Sequence, residues 1–193
     1  MTNQISNSKT ELKRRDFIKI SALAGAGAVL ASKGIVHAQG SDKIRVGLIG
    51  CGGRGTGAGI IDCAQSSPGI ELVAIGDLFQ DHIDKAPEQI IENLRKRDLP
   101  TEEIYKVSPE TTFVGFDAYK KVIACDVDMV ILTTPPNFRP EHLREAVLND
   151  KHVFIEKPIA VDPIGVHSVI ESSEMAKQKG LTLVAGTQMR RLK

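Results

Sequence analysis

From residue 43 onward, short apolar runs alternate with longer amphipathic stretches, the rhythm of strands separated by helices. Ile44, Val46, Leu48 and Ile49 make the first run, and residues 71–75 the second. Thr112-Phe113-Val114 is a third, and the stretch D-M-V-I-L-T at 128–133 a fourth; residues 152–155 and 181–185 complete the set. The fourth is almost wholly apolar, as a strand covered on both faces should be. Between the runs, residues 56–64, 79–97, a segment ending at Ile123, and residues 141–149 and 163–179 read as helices. Ile83, Ile90, Ile91 and Leu94 share one face of the 79–97 stretch, which Pro87 is expected to break or kink. Residues 99–103 form a turn leading into a further helix start or loop. Asp162 is placed to cap the last helix, Pro163 to occupy its first position and Gly180 to stop it. Such alternation implies right-handed crossovers and an α/β fold, a doubly wound parallel sheet.

The first run leads straight into glycines: residues 43–55 read K-I-R-V-G-L-I-G-C-G-G-R-G. Gly50, Gly52 and Gly55 fall at the G-x-G-x-x-G spacing, with Gly53 and Arg54 inside the same turn. Gly50 allows a tight exit from the strand, Gly52 leaves room for a pyrophosphate, and Gly55 lets the next helix pack closely on the sheet. The helix N-terminus then offers N–H groups and partial positive charge to phosphates. Asp77 ends the second strand, where a carboxylate can accept both ribose hydroxyls and repel a 2′-phosphate. The pattern therefore predicts a Rossmann-type dinucleotide-binding domain taking NAD in preference to NADP. Arg54 reads two ways, as a phosphate contact or as a solvated surface arginine.

Composition narrows the picture. Hydrophobic residues at 41% and charged residues at 25% describe an ordinary globular chain, and the formal net charge is +1. Six Lys/Arg and two Asp/Glu lie in the first 38 residues, so the remainder is mildly acidic and, without tryptophan, carries no sign of a nucleic-acid partner. Residues 1–38 stand apart from the fold. Lys13-Arg14-Arg15-Asp16-Phe17-Ile18-Lys19 resembles a twin-arginine export signal, a Gly/Ala-rich run follows, and Val36-His37-Ala38 offers a cleavage point. The run is too short and too small-residue-rich for a spanning helix of ~20 apolar residues, so cleavage and release to the periplasm or outside is favoured over anchoring. Export machinery of the twin-arginine type is thus an expected partner. Cys51, Cys63 and Cys125 are odd in number and unpaired in spacing, and read as small buried residues rather than a disulfide or zinc framework. Leu48-Ile49-Gly50-Cys51 mimics a lipoprotein box, but cleavage there would destroy the first strand.

The combination of Gly50 to Gly55, Asp77, Thr134-Pro135-Pro136, His142 and Glu156-Lys157-Pro158 resembles the Gfo/Idh/MocA family of sugar and inositol oxidoreductases. Gly186-Thr187-Gln188-Met189-Arg190-Arg191 is similar to the family's exit from the nucleotide domain. The resemblance divides the chain into a signal at 1–38, a nucleotide domain at 39–186 and the start of a substrate domain at 187–193, making it the front half of an enzyme, inactive by itself. It implies hydride transfer between a nicotinamide and a sugar or cyclitol carbinol, and a homo-oligomer at full length. Lys157 is implied as the catalytic group beside the nicotinamide, with burial lowering its pKa. Glu156 would orient Lys157 or the cofactor; Thr134, Pro135 and Pro136 would line the nicotinamide-side ribose; His142 and Gln188 would lie at the cofactor, the alternative for His142 being an ordinary surface histidine. His37, His82, His152 and His167 have no evident convergent partners, and no metal is expected. Two rivals stay open. Glycosidases of this fold use held NAD to oxidise a sugar transiently, but usually lack the lysine of Glu-Lys-Pro. A non-catalytic nucleotide-binding fragment is the other.

Overall fold

The computed structural model describes residues 42–187. The expected signal, Gln188 and the segment after it lie outside the described residues. Six strands form one parallel sheet: β1 (Ile44–Ile49), β2 (Ile70–Asp77), β3 (Thr112–Val114), β4 (Met129–Leu132), β5 (His152–Glu156) and β6 (Leu183–Gly186). Their spatial order is β3-β2-β1-β4-β5-β6. The chain winds outward from β1 to β3, returns to lay β4 against the other side of β1, and winds outward again. That reversal opens a crevice beyond the carboxyl ends of β1 and β4, where folds of this class hold ligands.

The helices are α1 (Ile60–Ser66), α2 (Gln80–Lys96), α3 (Thr101–Ile104), α4 (Ala118–Ala124), α5 (Arg139–Leu148) and α6 (Pro163–Gln178). Alternating strand residues send side chains to opposite faces, so β4 feeds Ile131 into one core and Val130 and Leu132 into the other. The first core joins Val46, Leu48 and Leu72 to Ile60 of α1 and Ile90 and Leu94 of α2. The second joins Ile49 and Ile155 to Val122 of α4, Leu143 and Val147 of α5 and Val169 of α6.

Two expected helices differ in form. Pro87 does not break α2, which runs unbroken through it. The proline removes one intrahelical donor, but Ile83, Ala86, Ile90 and Leu94 are buried on both sides of it, and that packing holds the helix together. Ala86 takes the place expected of Ile91, which is only half-buried. The first helix opens in a π-helical turn, Gly55–Gly59, before α1 begins. Its sequence, Gly-Thr-Gly-Ala-Gly, carries little side-chain bulk. Asn93 of α2 donates to the Thr56 carbonyl at 3.2 Å, satisfying a backbone group in the widened turn. The Asp162 cap is present: its Oδ1 accepts the Gly165 N–H at 2.6 Å, with Pro163 opening α6. Gly180, at φ +70°, follows the end of that helix. Of the cysteines, Cys51 is buried, while Cys63 and Cys125 are only partly so. Among the described residues no helix is long and apolar enough to cross a membrane.

Candidate functional site

The glycine turn after β1 forms one wall of a cleft of about 360 Å³. Gly50 sits at φ +102°, a conformation that favours glycine, and a Cβ there would lie 2.6 Å from the Thr134 backbone nitrogen. At Gly55 a Cβ would come within 2.0 Å of the Gly50 carbonyl oxygen, so the helix entry packs directly on the turn. Gly52 and Gly53 are different. A Cβ on Gly52 would meet nothing closer than His82 at 3.9 Å, and one on Gly53 nothing within 4 Å. These two glycines line open space, a cradle that side chains would begin to fill.

Asp77, at the end of β2, is buried and braces this turn. Its Oδ2 accepts the Cys51 N–H at 2.6 Å, and its Oδ1 accepts the Phe79 N–H at 3.0 Å and lies 3.1 Å from His82 Nδ1. Of roughly four lone-pair sites on a carboxylate, three are engaged, leaving room for about one further donor. His82 therefore does have partners, Asp77 and the edge of the Phe79 ring. The Asp77 carboxylate adds to the burial that pushes the neighbouring Cys51 thiol pKa well up.

Across the cleft stands the end of β4. Thr133 Oγ1 donates to the Gly50 carbonyl at 2.6 Å, clamping the glycine turn to β4. Thr134 is buried, its Oγ1 3.3 Å from His142 Nδ1 on α5. His142 is no surface histidine: it is 7% exposed and stacks on Tyr119 with ring centroids 4.1 Å apart. Burial pushes its pKa down to about 4, so the imidazole is neutral at pH 7. Tyr119 donates to Glu141 Oε1 at 2.8 Å, and burial with that carboxylate pushes its phenol up to about 12.

Arg139 holds the floor. It is 6% exposed, donates from Nε to the Thr134 carbonyl at 2.7 Å, and from Nη1 to the carbonyls of Glu156 (2.7 Å) and Pro158. One guanidinium thus ties the end of β4 to the end of β5, and burial lowers its pKa.

The turn after β5 carries Glu156, Lys157 and Pro158, with a cis peptide between the last two. Glu156 is buried, and its Oε1 takes Arg54 Nε at 2.9 Å and a second contact from Nη2. Its Oε2 accepts the Lys157 backbone N–H at 3.1 Å. Arg54 is thus anchored to a carboxylate, which neither reading of it from sequence anticipated. Lys157 is exposed, not buried as expected, because the residues around it in 42–187 leave it at the end of the sheet with solvent on its side chain.

Gly50, Gly52, Gly53 and Arg54 therefore share one cleft with Asp77, Thr134, Pro135 and His142. Gly55 and Glu156 support it from behind, Pro136 is half-buried outside its lining, and Lys157 lies at the same sheet edge beyond it. Sequence reasoning missed Thr133, Arg139, Tyr119 and His82. A threonine closing an apolar strand and an arginine opening a helix were the available signals for the first two. Among the described residues no three His, Cys, Asp or Glu groups converge as a metal site.

Comparisons with known proteins agree with this fold. Residues 11–31 match the twin-arginine translocation pathway signal sequence, so the chain carries a signal for export to the periplasm or outside. Over 141 residues the chain is 30% identical to a glycosyl hydrolase family 109 protein of Streptomyces niveus, covering 72% of this chain and 26% of that one. Scyllo-inositol dehydrogenase from Lactobacillus casei, solved with NAD(H) and scyllo-inositol, superposes with a TM-score of 0.57 at 20% identity, covering 77% of this chain and 37% of that one. A 3-ketoreductase from Actinomadura kijaniata, solved with TDP-benzene and NADP, gives 0.53 at 23% identity, covering 77% and 40%. At these identities the structural likenesses establish the fold. The chain spans about a quarter to two-fifths of the length of these relatives. The oxidoreductase family with an NAD-binding Rossmann fold matches residues 44–187, and the chain belongs to this Gfo/Idh/MocA family.

Proposed function

We propose that the cleft takes NAD, and that the whole protein uses it to move a hydride to or from a carbinol carbon of a sugar or cyclitol. The carrying observation is the pairing, in one cleft, of an open glycine cradle with a buried carboxylate. Gly52 and Gly53 leave backbone approach for a pyrophosphate, and Arg54 adds guanidinium donors. Asp77, with about one acceptor site to spare, grips a ribose hydroxyl and disfavours the 2′-phosphate of NADP. Thr134, Pro135 and neutral His142 line the nicotinamide-side ribose, and Gln188 is assigned to the same end. Bound there, the nicotinamide supplies the hydride chemistry. Lys157 is the catalytic residue, stabilising the developing alkoxide and exchanging the hydroxyl proton. Glu156 orients the lysine through its backbone N–H.

A second reading rests on the family 109 similarity: transient oxidation of a glycoside, elimination of the aglycone, addition of water across the double bond this leaves, and return of the hydride. Both readings share the hydride step and differ in products. In a form of the protein that continues past Lys193 into a substrate domain, free sugars or cyclitols should yield NADH. Replacing Lys157 by methionine should cut that turnover roughly 10²–10⁴-fold, the range for a positioned acid or base, and leave NAD affinity within a few-fold. Release of aglycone without net NADH would favour the second reading. Full activity in the Lys157→Met form would remove the lysine from the chemistry.

A further inference from the structure

Arg54 and Glu156 lie 102 residues apart in the chain and meet beside the cleft. Glu156 is 2% exposed, and a carboxylate that deep calls for a hydrogen-bonding partner of opposite charge. Arg54 supplies it, directing Nε and Nη2 to the one oxygen Oε1. The other oxygen, Oε2, holds the Lys157 N–H. Space for the carboxylate is made on the neighbouring strand by Gly186 of β6, where a Cβ would lie 3.1 Å from Oε1 and 3.2 Å from Cδ. From below, Arg139 fixes the main chain at the same point by donating to the Glu156 carbonyl. The carboxylate therefore has one slot, and each of its oxygens faces a different partner.

Arg54 itself belongs to the glycine turn and lines the cleft, with its side chain 44% exposed. A guanidinium has five N–H donors, and the contacts to Glu156 use two of its nitrogens, so donors remain for an anion in the cleft. A continuous path of hydrogen bonds then runs from the glycine turn through Arg54 and Glu156 to the backbone of Lys157.

We propose that Arg54 is a positioning residue for Lys157, acting through Glu156, so that the turn receiving the cofactor's diphosphate and the turn carrying the lysine hold one another in place. The strut exists without ligand; its consequence for the cofactor rests on the dinucleotide reading above. By reciprocity, whatever orders the glycine turn also orders the lysine turn.

Residue-resolved amide hydrogen exchange on the 193-residue chain tests this. Arg54→Gln should speed exchange at the Lys157 amide about tenfold or more while leaving the β4 amides of Ile131 and Leu132 unchanged. Glu156→Gln should do the same, because its amide nitrogen cannot accept a hydrogen bond, and Arg54→Lys should restore most of the protection. Should Arg54→Gln fail to fold, the Glu156→Gln and Arg54→Lys pair decides by the same criterion. Unchanged Lys157 exchange, or acceleration shared equally by β4, would overturn the proposal, the latter by making the pair a general brace. Adding NAD should slow Lys157 exchange in the unmutated chain and not in Arg54→Gln; equal slowing in both would overturn the coupling. If NAD changes nothing in any form because it does not bind, the dinucleotide reading falls, while the ligand-free exchange still judges the strut.

Discussion

Single residues in this site separate into those that shape the backbone and those that leave space. Gly55 belongs to the first kind: a Cβ would stand 2.0 Å from the Gly50 carbonyl oxygen, a contact only backbone movement can relieve. Gly53, two residues earlier, has open space. Gly55→Ala should lower unfolding stability by roughly 1–3 kcal/mol, as overpacking does, and Gly53→Ala by much less. Urea unfolding of the two variants checks this, and equal losses would contradict it. His142 makes a pH argument at the same scale. Its folded pKa, lowered by burial to about 4, lies below the unfolded value near 6.5. Between those values the unfolded chain binds a proton that the folded chain refuses. The stability this gives is fully present above about pH 6.5 and is lost as pH falls toward 4. Between pH 7 and 4.5, the unmutated protein should lose roughly 2–3 kcal/mol more stability than His142→Gln does. Parallel losses in the two proteins would place the imidazole in a wetter setting than the Tyr119 stack provides.

At the scale of elements, strands and helices are held in register at their carboxyl ends by side chains reaching across. Arg139 at the start of α5 is the clearest case, satisfying three main-chain carbonyls from the ends of β4 and β5. Arg139→Met keeps much of the length and removes every donor. It should cost roughly 3–5 kcal/mol, the scale for leaving several buried acceptors unpaired. A drop in urea midpoint at constant slope would register that loss, and a shift under about 1 kcal/mol would contradict the role. Elements of this kind were legible from sequence because their signals are local. Apolar runs such as Met129–Leu132, the Asp162–Pro163 cap and the Gly180 stop depend on neighbouring residues alone. What escaped depends on distant partners. Pro87 reads as a helix breaker until the burial of Ile83, Ala86, Ile90 and Leu94 is known. Arg54 reads as a phosphate contact or a solvated arginine, and its carboxylate partner shows only once Glu156, 102 residues on, is seen to face it. His142 reads as lying at the cofactor, with a surface histidine as the alternative, and nothing near it in sequence announces the Tyr119 ring on which it stacks. The glycine turn and Asp77 could be picked out because the spacing of that turn is itself a local rule, and both line the cleft.

For the molecule as a whole, the strand order brings four separate chain segments to one edge: the glycine turn, Asp77, the Thr133-Thr134 corner and the Glu156-Lys157 turn. Two layers of helix leave that edge uncovered, and the reversal between β1 and β4 opens the cleft at its centre. An export signal precedes this domain, and the described fold is the nucleotide-binding part of a family whose relatives are two to four times longer. The central claim is that the cleft binds a dinucleotide through the glycine cradle, and calorimetric titration of the 193-residue chain tests it most directly. NAD should give saturable one-to-one binding, at least tenfold tighter than NADP. Gly52→Val, which fills the cradle where no protein atom lies closer than 3.9 Å to a Cβ, should abolish it while leaving the unfolding midpoint nearly unchanged. No binding of either cofactor at millimolar concentration, or NAD binding untouched by Gly52→Val, would contradict the account.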